Sequence, residues 1–175
     1  MRYRRSDVAG GTYFFTVNLQ DRTQATLIEH IELLRGVFAN TKRKHPFQID
    51  AMVVLPDHLH CIWTLPVNGN GFATRWRVIK AVFSREMRKA EPITPGQRRR
   101  RERGIWQRRY WEHLIRDEYD YIRHVDYIHF NPVKHGYVTR AADWQYSSIH
   151  RYIRSGDISP DWGITARDNR NYGER

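Results

Sequence analysis

His58 and His60 flank a single leucine in the segment Val54-Leu55-Pro56-Asp57-His58-Leu59-His60-Cys61-Ile62-Trp63. Successive side chains of a β-strand point to opposite faces, so two imidazoles at this spacing share a face and can grip one cation. Leu59 would then anchor the strand from the other side. The same spacing also suits two half-exposed histidines beside a hairpin turn. Two imidazoles alone do not complete a catalytic metal site, which needs a third protein ligand and an open position. The single cysteine, Cys61, excludes an internal disulfide and a cysteine-based zinc site.

A second segment supplies what the first lacks. Tyr119-Asp120-Tyr121-Ile122-Arg123-His124-Val125-Asp126-Tyr127-Ile128-His129-Phe130-Asn131-Pro132 has helical periodicity, with Tyr121, Ile122, Val125 and Ile128 as the apolar stripe. Asp120, His124, Tyr127 and Asn131 fall together about a third of a turn away, beside the buried seam. Pro132 is expected to stop the helix next to Asn131. The Asn131 amide oxygen is then a hard ligand, and the Tyr127 phenol, one turn earlier, faces the same cation. A phenol is a weak nucleophile near neutral pH because its ordinary pKa is about 10. A cation on the non-bridging oxygens of a phosphate would neutralise charge in the pentavalent transition state. Attack by Tyr127 on that phosphate yields a covalent phosphotyrosine, which keeps the bond energy for a second transfer. The chain holds ten tyrosines; Tyr119, Tyr121, Tyr146 and Tyr152 read as packing or surface residues.

Charge says what kind of phosphate is at issue. Thirty Lys and Arg against nineteen Asp and Glu give +11, with a pI near 10.1, a balance that captures polyanions. Nucleic acid and anionic membrane are the two obvious partners. No stretch approaches the roughly 20 apolar residues of a membrane span, and the start, Met1-Arg2-Tyr3-Arg4-Arg5, lacks the apolar core of a signal peptide. The expectation is a nucleic-acid-binding protein of the cytoplasm, associated with the nucleoid.

The elements that must position these groups can be read in outline. Thr12–Asn18 with Leu19 is a strand; Thr26 to Lys44 is a helix ended by His45-Pro46; Phe47 to Leu55 and His58 to Leu65 are strands joined by a turn at Pro56-Asp57. Phe72 to Lys89 is a helix, Glu91 to Gly104 a basic loop, Trp111 to Arg116 a fourth strand and Glu118 to Phe130 a third helix. Asp143 would cap a short fourth helix reaching Tyr152. The order is the split βαβ pattern of an α+β, ferredoxin-like fold: an antiparallel sheet with helices on one face, plus a C-terminal helical extension. The opposite face of the sheet is expected to be open. Residues 1–155 read as a single domain and 156–175 as a polar, flexible tail.

At Gly10-Gly11-Thr12-Tyr13-Phe14-Phe15-Thr16-Val17-Asn18-Leu19, Val54–Pro66, Trp106-Gln107 and Val125–Gly136 the chain resembles the REP-associated tyrosine transposases, a branch of the single-tyrosine HUH transposases. The resemblance covers about residues 2–152. It implies His58 and His60 as metal ligands, Tyr127 as the nucleophile forming a 5′-phosphotyrosine and leaving a 3′-OH, Mg²⁺ or Mn²⁺ as cofactor, and recognition of imperfect hairpins from repeated extragenic palindromes. Insertion-sequence relatives usually carry Gln four residues after the tyrosine, where this chain has Asn131. Imidazole plus amide is softer than the all-oxygen shell Mg²⁺ prefers, so Mn²⁺ is expected to support more activity. The REP-associated branch implies a monomer, whereas insertion-sequence relatives act as dimers with the tyrosine helix supplied in trans.

A hairpin with a single-stranded flank asks for phosphate contacts. The candidates are Arg2, Arg4 and Arg5, then Arg75, Arg77, Lys80 and Arg85, then Arg98, Arg99, Arg100 and Arg101. Tyr13, Phe14, Trp63 and Trp111 are expected mostly in the core. Two other readings share these features: a DNA-binding regulator without catalysis, and a small replication or mobilisation nickase.

Overall fold

A computed structural model describes residues 8–68, 71–87, 95–96 and 104–164. The basic run Arg98–Arg101 and the N-terminal Arg2, Arg4 and Arg5 lie outside the described residues.

Four strands form one antiparallel sheet in the order β2-β3-β1-β4, with β1 Thr12–Asn18, β2 Gln48–Val54, β3 His58–Thr64 and β4 Trp111–Leu114. The split βαβ order expected from the sequence is therefore present. Alternation sorts the side chains. Tyr13, Phe15 and Val17 of β1 and Leu59, Cys61 and Trp63 of β3 enter one core layer with Phe38, Phe72, Trp76 and Phe83. Helices α2, Ile31–Lys44, and α3, Phe72–Glu86, close that layer. Trp63 and Trp76 stack with centroids 4.2 Å apart and planes at 17°. An aromatic side chain buries roughly 200 Å², so at about 25 cal/mol per Å² each contributes about 5 kcal/mol before entropy is counted. This apolar layer offsets the cost of the polar groups on the other side.

That other side is not the open face expected. Phe14, Ala51, Val53, Leu55 and Ile62 meet Val125 and Ile128 of α4, Glu118–Lys134. Strand β3 is consequently buried on both faces up to Trp63. A C-terminal segment then closes the β2 edge, where Val54 N–H donates to Tyr146 O and Ser148 N–H to Met52 O.

Several boundaries differ from expectation. The first helix breaks at His30 into α1, Thr26–Glu29, and α2. Pro132 does not stop α4, because in the last turn its missing N–H costs one backbone bond; His135 N–H still reaches Asn131 O at 3.0 Å. Ile122 is half exposed rather than part of the buried stripe. Asp143 does not cap a helix: Ala141–Asp143 form a 3-10 turn, and α5 runs Ile149–Ser155. Gly156 ends α5 in the left-handed region, at φ 83°. Beyond it the chain does not leave the body at once, since Ile158 and Trp162 pack against the buried cluster of Val133, Ala141 and Ile149.

Candidate active site on the histidine face of the sheet

His58 and His60 emerge on the α4 side of β3, next to the Pro56-Asp57 turn. Their rings lie 4.9 Å apart, nearly perpendicular, and both are almost fully buried. Each is oriented through Nδ1. His58 Nδ1 is 2.7 Å from Asp57 Oδ1, and His60 Nδ1 is 2.8 Å from Thr16 Oγ1. Burial would raise the Asp57 carboxyl, but hydrogen bonds from Arg22 and His58 outweigh it and hold the group below its ordinary value. An ionised carboxylate only accepts, so His58 Nδ1 carries the proton. The Arg22 terminal nitrogen 3.4 Å from that atom is then a neighbour, and its real bond is Nε to Asp57 Oδ2 at 2.6 Å. Nε2 of His58 keeps its lone pair. Burial holds His58 below its ordinary pKa despite Asp57, and His60 well below. Two neutral imidazoles with Nδ1 pinned are what a cation needs.

Helix α4 runs along this pair. The Tyr127 ring stands 5.0 Å from the His60 ring at 76°, and the His135 ring 5.3 Å from the His58 ring at 70°. Asn131 lies halfway between residues 127 and 135 on the same helical stripe. It is fully buried, not beside the seam as the sequence implied. Among the described residues, both polar atoms of its amide and Nε2 of His60 are buried without a hydrogen-bond partner. A buried polar group without a partner costs about 1–3 kcal/mol. Unfilled lone pairs on His60 and Asn131, from a strand and a helix that pack on each other here, are the fit expected of a cation site.

Phe14 links this centre to the sheet edge. Its ring contacts His60 at 5.7 Å, Tyr127 at 5.8 Å, His124 at 4.7 Å and Trp111 at 5.5 Å. Beyond it, His113 Nε2 lies 2.8 Å from Asp120 Oδ2, and His124 Nδ1 donates to the Asp120 carbonyl at 2.7 Å. Ligand-type atoms of His113, Asp120 and His124 fall within 4.8 Å of one another, so this trio is a second group able to hold a cation. Here they satisfy each other. Asp120 also accepts from Arg116 N–H, while Asp117 accepts from Asp120 N–H, which starts α4 and clasps it to β4.

The structure separates the basic residues picked from the sequence. Arg75 is buried, its guanidinium donating to Pro46 O at 2.6 Å and Gly71 O at 3.3 Å. It braces α3 and is withdrawn as a phosphate contact, because helical spacing alone did not distinguish the inner from the outer side at this position. Lys80 donates to Gln107 O at 2.9 Å. Arg77 and Arg85 are exposed, but α3 lies on the face opposite the histidines. Sequence reasoning missed Thr16, Asp57, Arg22, His135 and Lys134. Asp57 and Thr16 had no signal beyond their neighbours, whereas Lys134 and His135 stand one turn beyond Asn131 and were hidden by the expected stop at Pro132.

Comparison with known proteins identifies the family. Residues 8–131 match the family described as "Transposase IS200 like". A REP-associated tyrosine transposase of Escherichia coli (strain K12) is 45% identical over 166 residues, covering 95% of this chain and 93% of the relative. A Haemophilus influenzae protein assigned to the same kind is 45% identical over 162 residues, 92% of each. A solved structure of a REP-associated tyrosine transposase bound to a REP hairpin superposes with a TM-score of 0.81 at 43% identity, covering 100% of this chain and 98% of that one. The chain belongs to the IS200-like transposases and, within them, to the REP-associated tyrosine transposases.

Proposed function

We propose that this transposase cuts and rejoins single-stranded DNA beside a REP-type hairpin, with Tyr127 as nucleophile. The observation that carries the reading is the 5.0 Å ring contact between Tyr127 and His60, from distant parts of the chain. His58 Nε2, His60 Nε2 and Asn131 Oδ1 would hold one divalent cation, Mg²⁺ or Mn²⁺, and the nitrogen-rich set favours Mn²⁺. Such a cation neutralises charge on the non-bridging phosphate oxygens. Asp57 and Thr16 hold the two imidazoles in the ligating tautomer. The phenol oxygen forms a bond to phosphorus while the bond from phosphorus to the 3′ oxygen breaks. The phenolic proton leaves to solvent and the departing oxygen becomes a 3′-OH. Attack by another 3′-OH on the 5′-phosphotyrosine reverses the exchange without nucleotide hydrolysis.

The tyrosine helix packs on the histidines of its own sheet, which supports a monomeric active unit. Residues 1–155 would form the single catalytic domain and the remainder a tail whose first part docks on it. Among the described residues no helix is long and apolar enough to cross a membrane, in keeping with action on DNA in the cytoplasm. Arg2, Arg4, Arg5 and Arg98–Arg101, with Arg77 and Arg85, remain the proposed phosphate contacts. The test is incubation with a labelled hairpin bearing a single-stranded flank and Mn²⁺, followed by a denaturing gel. A covalent adduct that vanishes in Tyr127→Phe is expected. Binding without adduct in any metal would replace this reading with that of a regulator.

A further inference from the structure

Trp111 was expected in the core, yet it is 50% exposed on the free edge of the sheet. Its strand partner across β1 is Thr16, whose other partner is His60. Trp111, Thr16 and His60 thus form one cross-strand row, which places Trp111 two strand spacings, about 10 Å, from the metal-ligating strand. Its ring is held in place from one side. Trp111 stacks on His113 at 5.7 Å with planes 2° apart, and His113 stacks on His124 at 4.8 Å and 18°. Asp120 fixes both histidines, and the edge of Phe14 braces the indole. The half-exposed indole is the outer end of this pile of near-parallel rings. Arg109 and Arg116, both exposed, flank the strand.

We propose that Trp111 is a stacking platform for one unpaired base of the single-stranded flank, close to the phosphate that Tyr127 attacks. This rests on the reading that single-stranded DNA is the substrate. An indole already locked against His113 loses little freedom when a base adds to the pile, and every base offers a π-face. The flanking arginines supply charge for the adjoining phosphates.

The test uses the full chain carrying Tyr127→Phe in the presence of EDTA, so binding is read without metal or nucleophile. Labelled hairpins with and without the flank, and flanks carrying one abasic site at each position in turn, are titrated by fluorescence anisotropy. Trp111→Ala and Trp111→Leu should weaken the flanked hairpin about tenfold and leave the blunt hairpin unchanged, while Trp111→Phe stays within about threefold. One abasic position should cost about tenfold in the parent and nothing in Trp111→Ala. Equal losses on both hairpins, or no abasic position whose cost depends on Trp111, would overturn the platform. An intact Trp111 effect with no adduct from the Tyr127 protein would instead sink catalysis alone.

Discussion

The ammonium group of Lys134 lies 5.1 Å from the centroid of the Tyr127 ring. A cation over an aromatic face is attracted more strongly as the ring gains electron density. The ring gains density as the phenolic proton departs, so the contact favours the reacting state over the resting one. Lys134→Gln should slow single-turnover adduct formation by about 3- to 30-fold, the range that 0.5–2 kcal/mol represents. Lys134→Arg should recover most of the rate. If Lys134→Gln weakens DNA binding and leaves the single-turnover rate intact, the lysine serves only as a phosphate contact.

The orientation of the histidines makes a separate claim. Asp57 accepts the Nδ1 proton of His58, and the Thr16 hydroxyl holds Nδ1 of His60 at 2.8 Å. Groups of this kind typically govern metal affinity by 10- to 100-fold. Calorimetric titration with Mn²⁺ should show a loss of that size for Asp57→Asn, and a loss of the same order for Thr16→Val. Unchanged affinity in both variants would mean that the imidazoles bind cations without help, or not at all.

Much of this arrangement was legible in the sequence, and the misses have physical causes. Alternation alone put His58 and His60 on one face, and helical spacing put Tyr127 and Asn131 on one stripe. Neither reveals how two elements pack. The face opposite α2 and α3 looked open because no local pattern shows that a helix 60 residues downstream will cover it. Pro132 looked like a terminator because a rule for helix interiors was applied at a last turn, where one lost bond is tolerated. Arg75 looked like a DNA contact because a guanidinium bound to carbonyls has the same sequence signature as one in water. Trp111 looked like core because a tryptophan on a short strand usually is.

The clasp between β4 and α4 predicts two acid transitions. The burial of His124 favours its neutral form in the folded protein, so its folded pKa is below 6.5. Stability should therefore start to fall as pH drops below about 6.5, where the unfolded chain binds the proton first. Burial opposes the charged form of Asp120, but hydrogen bonds from His113 and Arg116 prevail and its pKa sits below 3.8. The contribution of Asp120 is complete above that value and is lost as pH falls through the lower folded one. Asp120→Asn should cost about 1–2 kcal/mol at pH 7 through weaker hydrogen bonds. Urea midpoints of the two proteins should draw together as pH falls below 3.8. A constant difference across the whole range would show that charge has no part in the clasp.

Asn131 offers the sharpest separation of stability from function. Among the described residues neither atom of its buried amide has a hydrogen-bond partner, so the fold carries a cost of about 1–3 kcal/mol there with no structural return. Leucine is close in size and needs no partner. Asn131→Leu should therefore raise the urea midpoint in metal-free buffer, by the equivalent of about 1 kcal/mol or more, while Mn²⁺ affinity and adduct yield fall at least tenfold. A residue kept for packing would give the reverse: lower stability and unaltered metal binding. Because the two measurements move in opposite directions only for a ligand, a single variant decides whether this amide belongs to the cation or to the core.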